Sequence, residues 1–206
     1  MALMTAAEAR VYLRISGTAE DSTIETLISR FDALAAAWCG FPAAPGGAVA
    51  SPPTLESASY TLYLDGPTLD PLTLDLGVRP VSAVASVYDD PLRAYGSDEL
   101  VASGDYNLHG ASGLVILAHD STQGQWSTGY RVIKATVTAG WASGDAPTTI
   151  KHACGLQVAH WWRGRDSVGK TSVSQAGTSV SLRPLTLLPE VMQALGPFML
   201  MGGSYG

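Results

Sequence analysis

The octapeptide GRDSVGKT opens on Gly164 and closes on Thr171, with the spacing of a phosphate-binding loop: glycine, four residues, then glycine, lysine and a hydroxyl. In such a loop backbone N–H groups cradle phosphate oxygens, the lysine (here Lys170) reaches the terminal phosphates and the hydroxyl holds magnesium. That chemistry needs a buried strand before the loop and a helix directly after it. Upstream, however, TTIKHACGLQVAHWWRG has helical spacing, and SVSQAGTSV downstream has none. The short stretch beyond Thr171 leaves no room for a parallel sheet. A nucleotide-binding protein therefore remains the remote alternative, against a flexible, weakly basic arm over residues 164–183.

The other chemistry-bearing residues converge no better. His152, Cys154 and His160 share one helical stretch. At about 100° per residue, His152 and Cys154 diverge by roughly 160°, and Cys154 and His160 by roughly 120°. The two histidines are two turns apart, too far to share a metal without a second helix. Asp89 and Asp90 are adjacent carboxylates before a proline; a turn built on aspartate side chains explains them as well as acid–base chemistry or calcium does. Ser112, His109 and His119 lack the strand–turn–helix elbow of a hydrolase. The aromatic set Tyr60, Tyr63, Tyr88, Tyr95, Tyr106, Trp126, Tyr130 and Trp141 would suit a sugar-binding platform, or simply core and cross-strand pairs. The sequence thus assigns no catalytic residue, no metal ligand and no cofactor.

Composition sets the limits within which any site must be built. A chain of 206 residues, 46% hydrophobic and 15% charged, can bury a sizeable core. With a net charge of −6 and only 12 Lys plus Arg it has no concentrated basic surface for neutralising phosphates. No apolar run is long enough to span a membrane, and no basic segment leads into an apolar one at the start, so neither a span nor a secretory signal is expected. Cys39 and Cys154 are too few for a disulfide framework and read as reduced core residues.

Three parts follow one another along the chain, helical, then of period two, then helical again. Thr5 and Glu8 form a capping box for a short helix to about Ile15, stopped by Gly17. Ser22 and Glu25 repeat that pattern, and Ile24, Leu27, Ile28, Phe31, Leu34, Ala35 and Trp38 then predict one apolar stripe on a helix ended by Gly40. FPAAPGGAVASPP, residues 41–53, is a linker by its proline and glycine. The period then becomes two in SYTLYLDG, LTLDL, VSAVASVYDD, GLVILAHD and YRVIKATVTAGW, which predicts six or seven short antiparallel strands. A helix opening near Pro147 buries Ile150, Cys154, Val158 and Trp161, widened by Leu156 and Trp162. Finally LLPEVMQALGPFMLM predicts a short apolar helix, started by Pro189 and interrupted by Gly196 and Pro197.

The order of these elements, with YLRI, EDSTIETLIS, RPVSAVASVYDD, GDYNLHGASGLVIL, VTAGWASGDAPTTIKHACGLQVAHWW and LLPEVMQAL, resembles the head–tail connector, or adaptor, proteins of tailed bacteriophages and gene transfer agents. The resemblance spans nearly the whole chain and contains no catalytic motif. It implies an α+β fold: a small helical bundle formed by both chain ends (1–40 plus 142–163), a linker (41–54), an inserted antiparallel β-rich module (55–141), sandwich or barrel-like, and a C-terminal arm with a short helix (164–206). It further implies a virion protein at the head–tail junction, made in the bacterial host cytoplasm, that forms a twelvefold ring beneath the portal. Such a ring extends the DNA channel, lets double-stranded DNA pass without sequence-specific binding and carries the stopper or tail-completion protein.

On that reading Leu185, Leu187, Leu188, Val191, Met192, Leu195, Phe198, Met199 and Leu200 are expected to dock on the portal or a neighbouring subunit, having more apolar surface than so short a helix can bury. Arg163, Arg165 and Lys170 are expected to face the portal or the DNA. A carbohydrate- or protein-binding β module of a phage or secreted protein is the alternative.

Overall fold

A computed structural model describes residues 3–42, 53–165, 172–175, 178–181 and 187–200. Helix α1, Ala6–Leu13, starts as its sequence dictates: the Thr5 hydroxyl accepts from the Glu8 N–H at 3.1 Å, and the Glu8 carboxylate accepts from the Thr5 N–H at 2.8 Å. The reciprocal bonds satisfy two donors that the first turn would leave open. They also hold the Glu8 carboxyl below its ordinary range, the Thr5 N–H being the main cause. The helix ends three residues before Gly17, at Arg14, which takes the left-handed cap conformation with φ 55°.

Helix α2, Asp21–Cys39, begins differently from its expected capping box. Glu20 is the cap residue and makes no side-chain capping bond, while the Ser22 carbonyl accepts from Thr26 inside the helix. With the cap at Glu20, two residues before Ser22, Ser22 is already helical and its hydroxyl no longer faces the open N–H groups. Ile24, Ile28, Phe31 and Ala35 are buried as the stripe predicts, but Leu34 and Trp38 are 39% and 44% exposed. The buried face instead runs through Asp32, Ala36 and Cys39. Gly40 closes the helix at φ 82°.

Helix α3, Thr148–Gly164, packs against α1 and α2, with Pro147 as its cap residue rather than in its first turn. Ile150, Cys154, Val158 and Trp161 face the core, whereas Leu156 points outward at 36% exposure. Gly155 is the point of closest approach: a Cβ there would lie 2.7 Å from the Tyr12 ring. Helix α4, Pro189–Leu195, followed by a 3₁₀ turn at Gly196–Phe198, closes the bundle against α3 and α2. Both ends of the chain thus share one core, which also takes in Phe41 and Leu55 from the two sides of the linker.

The β-rich stretch makes two three-stranded antiparallel sheets. One has the order β1 (Ala58–Leu64), β6 (Ile133–Ala139), β3 (Val81–Asp89); the other has β2 (Thr73–Asp75), β5 (Leu114–Leu117), β4 (Tyr106–His109). Tyr60, Leu62 and Leu64, with Ile133, Ala135 and Val137, turn inward on the first sheet and share a core with Leu74, Val115 and Leu117 of the second. Strict alternation makes this possible, since successive side chains of a strand face opposite ways. Trp126, fully buried, fills the core from a loop, its Nε1–H donating to the Leu72 carbonyl at 3.1 Å. The sheets form no closed barrel, so the sandwich half of the expectation holds. Within the arm expected to be flexible, β7 (Ser172–Gln175) pairs antiparallel with β8 (Thr178–Ser181).

Candidate partner-binding surfaces

The flanks of the phosphate-loop motif decide its meaning. Helix α3 runs through Gly164 into Arg165, and the next described element, from Ser172, is a strand. A helix precedes the motif and a strand follows it, the reverse of the strand-then-helix order that a phosphate cradle needs. Lys170 lies outside the described residues.

Several of the other chemical candidates are taken up in structural contacts. His152 Nδ1 lies 3.2 Å from the Tyr12 hydroxyl, tying α3 to α1. Cys39 and Cys154 are buried free thiols; burial pushes Cys39 up to about 11 and Cys154 further still. No group of three His, Cys, Asp or Glu among the described residues is placed to hold a metal ion. The Ser112 hydroxyl donates to the His109 carbonyl, closing a turn. Asp90 accepts the N–H groups of Leu92, Ala94 and Tyr95 at 2.6–2.7 Å. Burial opposes its ionisation, but these N–H donors outweigh that and hold its carboxyl below the usual range. Asp89 accepts from Gln123 and from the Ser127 N–H, fastening a second loop.

The aromatic residues form no single platform. Tyr60 and Trp126 are in the core, and Trp141 stacks between Phe41 and Phe198. On the outer face of the first sheet, Tyr63 and Tyr95 are tilted 60° to each other. Lys134 sits over Tyr88 and Tyr95, and Arg131 over Tyr63 and Tyr130. Rings tilted and occupied by cations offer no flat face to a sugar.

The apolar C-terminal set divides. Val191 and Leu195 are fully buried in the chain's own bundle. Leu187, Leu188, Met192, Phe198 and Leu200 are half-buried, Met199 is 41% exposed, and Leu185 lies outside the described residues. Two of the eight described members are thus used fully within the chain, and six keep part of their surface open. Gln157, buried in α3, accepts the Leu188 N–H at 2.9 Å and fixes the entry of α4, a role that no local pattern in the sequence shows. Beside it lies a hollow of about 500 Å³ lined by Tyr12, Leu156, His160, Arg163 and Leu188. Arg163 is exposed there, and Arg165 stacks on Trp162 at 4.2 Å.

A second unforeseen residue joins the two cores. Asp32 accepts from the Thr54 hydroxyl at 2.5 Å and the Leu55 N–H at 2.8 Å, clasping the start of the β module to α2. Burial raises its pKa despite these bonds, and burial together with Asp32's charge raises that of Glu56. The signal was available: Asp32 is four residues after Ile28, on the apolar stripe, where a carboxylate requires partners. At the far end of the chain, the Leu200 N–H donates to the Cys39 carbonyl at 2.7 Å and Arg79 donates to the Met199 carbonyl, while Leu200 packs on both cores.

A bundle and a sandwich clasped together define an α+β protein. The chain belongs to the head completion protein family, whose model matches residues 2–198. No curated protein matches it. Its fold is similar to a chain of a structure described as "Virion of native gene transfer agent (GTA) particle", at TM-score 0.55 and 20% identity over 99% of this chain and 93% of that one. It is also similar to a chain of "Neck of empty GTA particle computed with C6 symmetry", at TM-score 0.56 and 19% identity over the same shares. No described helix is long and apolar enough to cross a membrane.

Proposed function

We propose that the chain is a head–tail connector subunit that forms a ring beneath the capsid portal, extends the DNA channel and carries the stopper or tail-completion protein. The observation that carries this reading is the family match over residues 2–198, which takes in both chain ends and the insertion between them. The likeness to chains from particle necks described with sixfold and, at TM-score 0.50, twelvefold symmetry supports a ring at the head–tail junction of a virion. A ring needs one surface of each subunit on a different surface of the next, with closure by rotation. The net charge of −6 suits a conduit, since a lumen that held phosphates strongly would slow DNA passage.

The exposed remainder of the C-terminal set, Met199 with the half-buried Met192 and Phe198, is the portal-facing surface on this reading. Arg163 and Arg165 lie towards the portal or the DNA. Electron microscopy of the chain mixed with its portal tests the assignment: a ring stacked on the portal is expected. No complex at micromolar concentration would overturn it.

A further inference from the structure

We infer that the paired strands β7 and β8 of one copy lie along the outer edge of β1 in the next copy, carrying its sheet across the subunit boundary. The inference rests on the ring reading above. In the β1–β6–β3 sheet the two edges differ. The β3 edge is broken by register shifts between Val81 and Ala83 and between Val84 and Ser86, and the chain at Leu100 and Val101 covers it, bridging Tyr88 and donating to the Val87 carbonyl. β1 runs seven residues against β6 without a shift, contains no charge, glycine or proline, and has no second strand partner among the described residues. In the other sheet the edge strands β2 and β4 are only three and four residues long. Bulges, charges, short length and covering chain are the usual guards of a sheet edge, and an edge without them accepts a strand.

The arm supplies strands that need such an edge. β7 and β8 pair only with each other among the described residues, and two strands alone are barely stable in water. Their register puts Val173 opposite Val180 on one face of the pair and leaves the other face to serines alone. β1 divides in the same way, with Tyr60, Leu62 and Leu64 buried and Ser59 and Thr61 on the outer face. Laid side by side, the valine face continues the core layer of the module and the serine face its outer layer of hydroxyls, which fixes which side of the added strands turns in.

Chain length directs the contact outward. Trp141, Pro147 and Phe198 line a hollow of about 500 Å³ at the joint, which puts the start of α3 and the turn after α4 there. Arg163 and Leu188 share the hollow at the other end, where α3 finishes and α4 begins, so the arm leaves and returns at the end remote from the joint. β1 begins at the joint, with Ala58 opposite Ala139, two residues before Trp141. The 17 residues of α3 span about 25 Å, and the six residues between Arg165 and Ser172 cover at most about 25 Å when fully extended. β7 and β8 therefore reach β1 of their own chain only with that link drawn straight back along the whole helix, whereas the edge of an adjacent copy sets no such requirement. A strand pair on one flank and an open edge on another also give the unlike surfaces that ring closure requires.

The native cysteines are buried, so introduced ones are the accessible thiols. Chain with Thr61→Cys mixed on the portal with chain with Ser179→Cys and treated with a short bis-maleimide should give covalent dimers, which need two copies. The double variant should give a ladder of multimers reaching the full ring, and either single variant alone should stop at the monomer. Val173→Lys with Val180→Lys in the double variant should abolish the ladder, while the unassembled chain melts as before because the arm lies outside both cores. A double variant cross-linked only within one chain would put the strands on their own β1, and rings seen by microscopy without any cross-link would put them elsewhere; either result overturns the inference and leaves the ring reading standing. Wild-type chain that forms no ring on the portal would overturn both.

Discussion

In the helical bundle, much of the apolar surface of α1, α2 and α3 is covered from within, by α4 and by residues on both sides of the linker, while Val11, Leu34 and Trp38 stay open on helix faces. In the β module, the core closes between two sheets, and the most exposed leucines stand on loop tips stiffened by aspartate. The first region uses its side chains to hold the chain together, and the second keeps a few back on a rigid frame. Partner contacts are accordingly expected on loops of the module as much as on the apolar tail that the sequence brings forward.

Truncating one large core residue in each region is the strongest way to break this comparison. Phe31→Ala in the bundle and Trp126→Ala in the module should each cost about 3–5 kcal/mol. Calorimetry then shows whether either loss melts the other region; separate transitions would mean the joint does not couple them. Next comes Gly140→Ala at that joint. Gly140 has φ 100°, and a Cβ would lie 2.4 Å from the Glu56 carbonyl oxygen, so a loss of about 3 kcal/mol is expected. A variant melting like wild type would show that the joint yields without cost.

Asp32→Ala should cost about 1–3 kcal/mol by removing the acceptor of two bonds. Asp32→Asn sharpens the same point through pH. Both Asp32 and Glu56 have raised pKa values in the folded chain, so folding takes up protons. Their contribution is greatest below the ordinary carboxylate pKa and is lost as pH rises through the raised values. Thermal melts across that window should have a shallower pH slope in Asp32→Asn, and an unchanged slope would remove Asp32 from the account. Thr5→Ala should cost about 1 kcal/mol by opening the α1 cap. Smallest of all, Leu92→Ser should shift stability by no more than about 0.5 kcal/mol, because the side chain touches little of its own chain.

The sequence was most legible where periodicity and local hydrogen bonding agree. The Thr5–Glu8 cap, the inward faces of β1 and β6, and the Pro189 start of α4 need only neighbours within a few residues. Ser22 and Glu25 match the capping pattern equally well, but tertiary packing started α2 earlier, and no local rule reports that. Leu34 and Trp38 fit the helical stripe but lie beyond the arc that α3 and α4 cover. Gln157, Asp32 and Asp90 act on backbone groups distant in space or folded back in a loop, so their roles appear only with the fold. The paired strands Ser172–Gln175 and Thr178–Ser181 are four residues each, too short to stand out as a period.

Because the bundle draws on both chain ends, its completion must follow a timetable set by synthesis. The module's strands, from Ala58 to Ala139, can pair as soon as they leave the ribosome, while α1 and α2 wait with an uncovered greasy face until α3 and α4 emerge. A nascent chain stalled before Thr148 would therefore contain a formed sandwich joined to two unsheltered helices, the stage most open to proteases and chaperones.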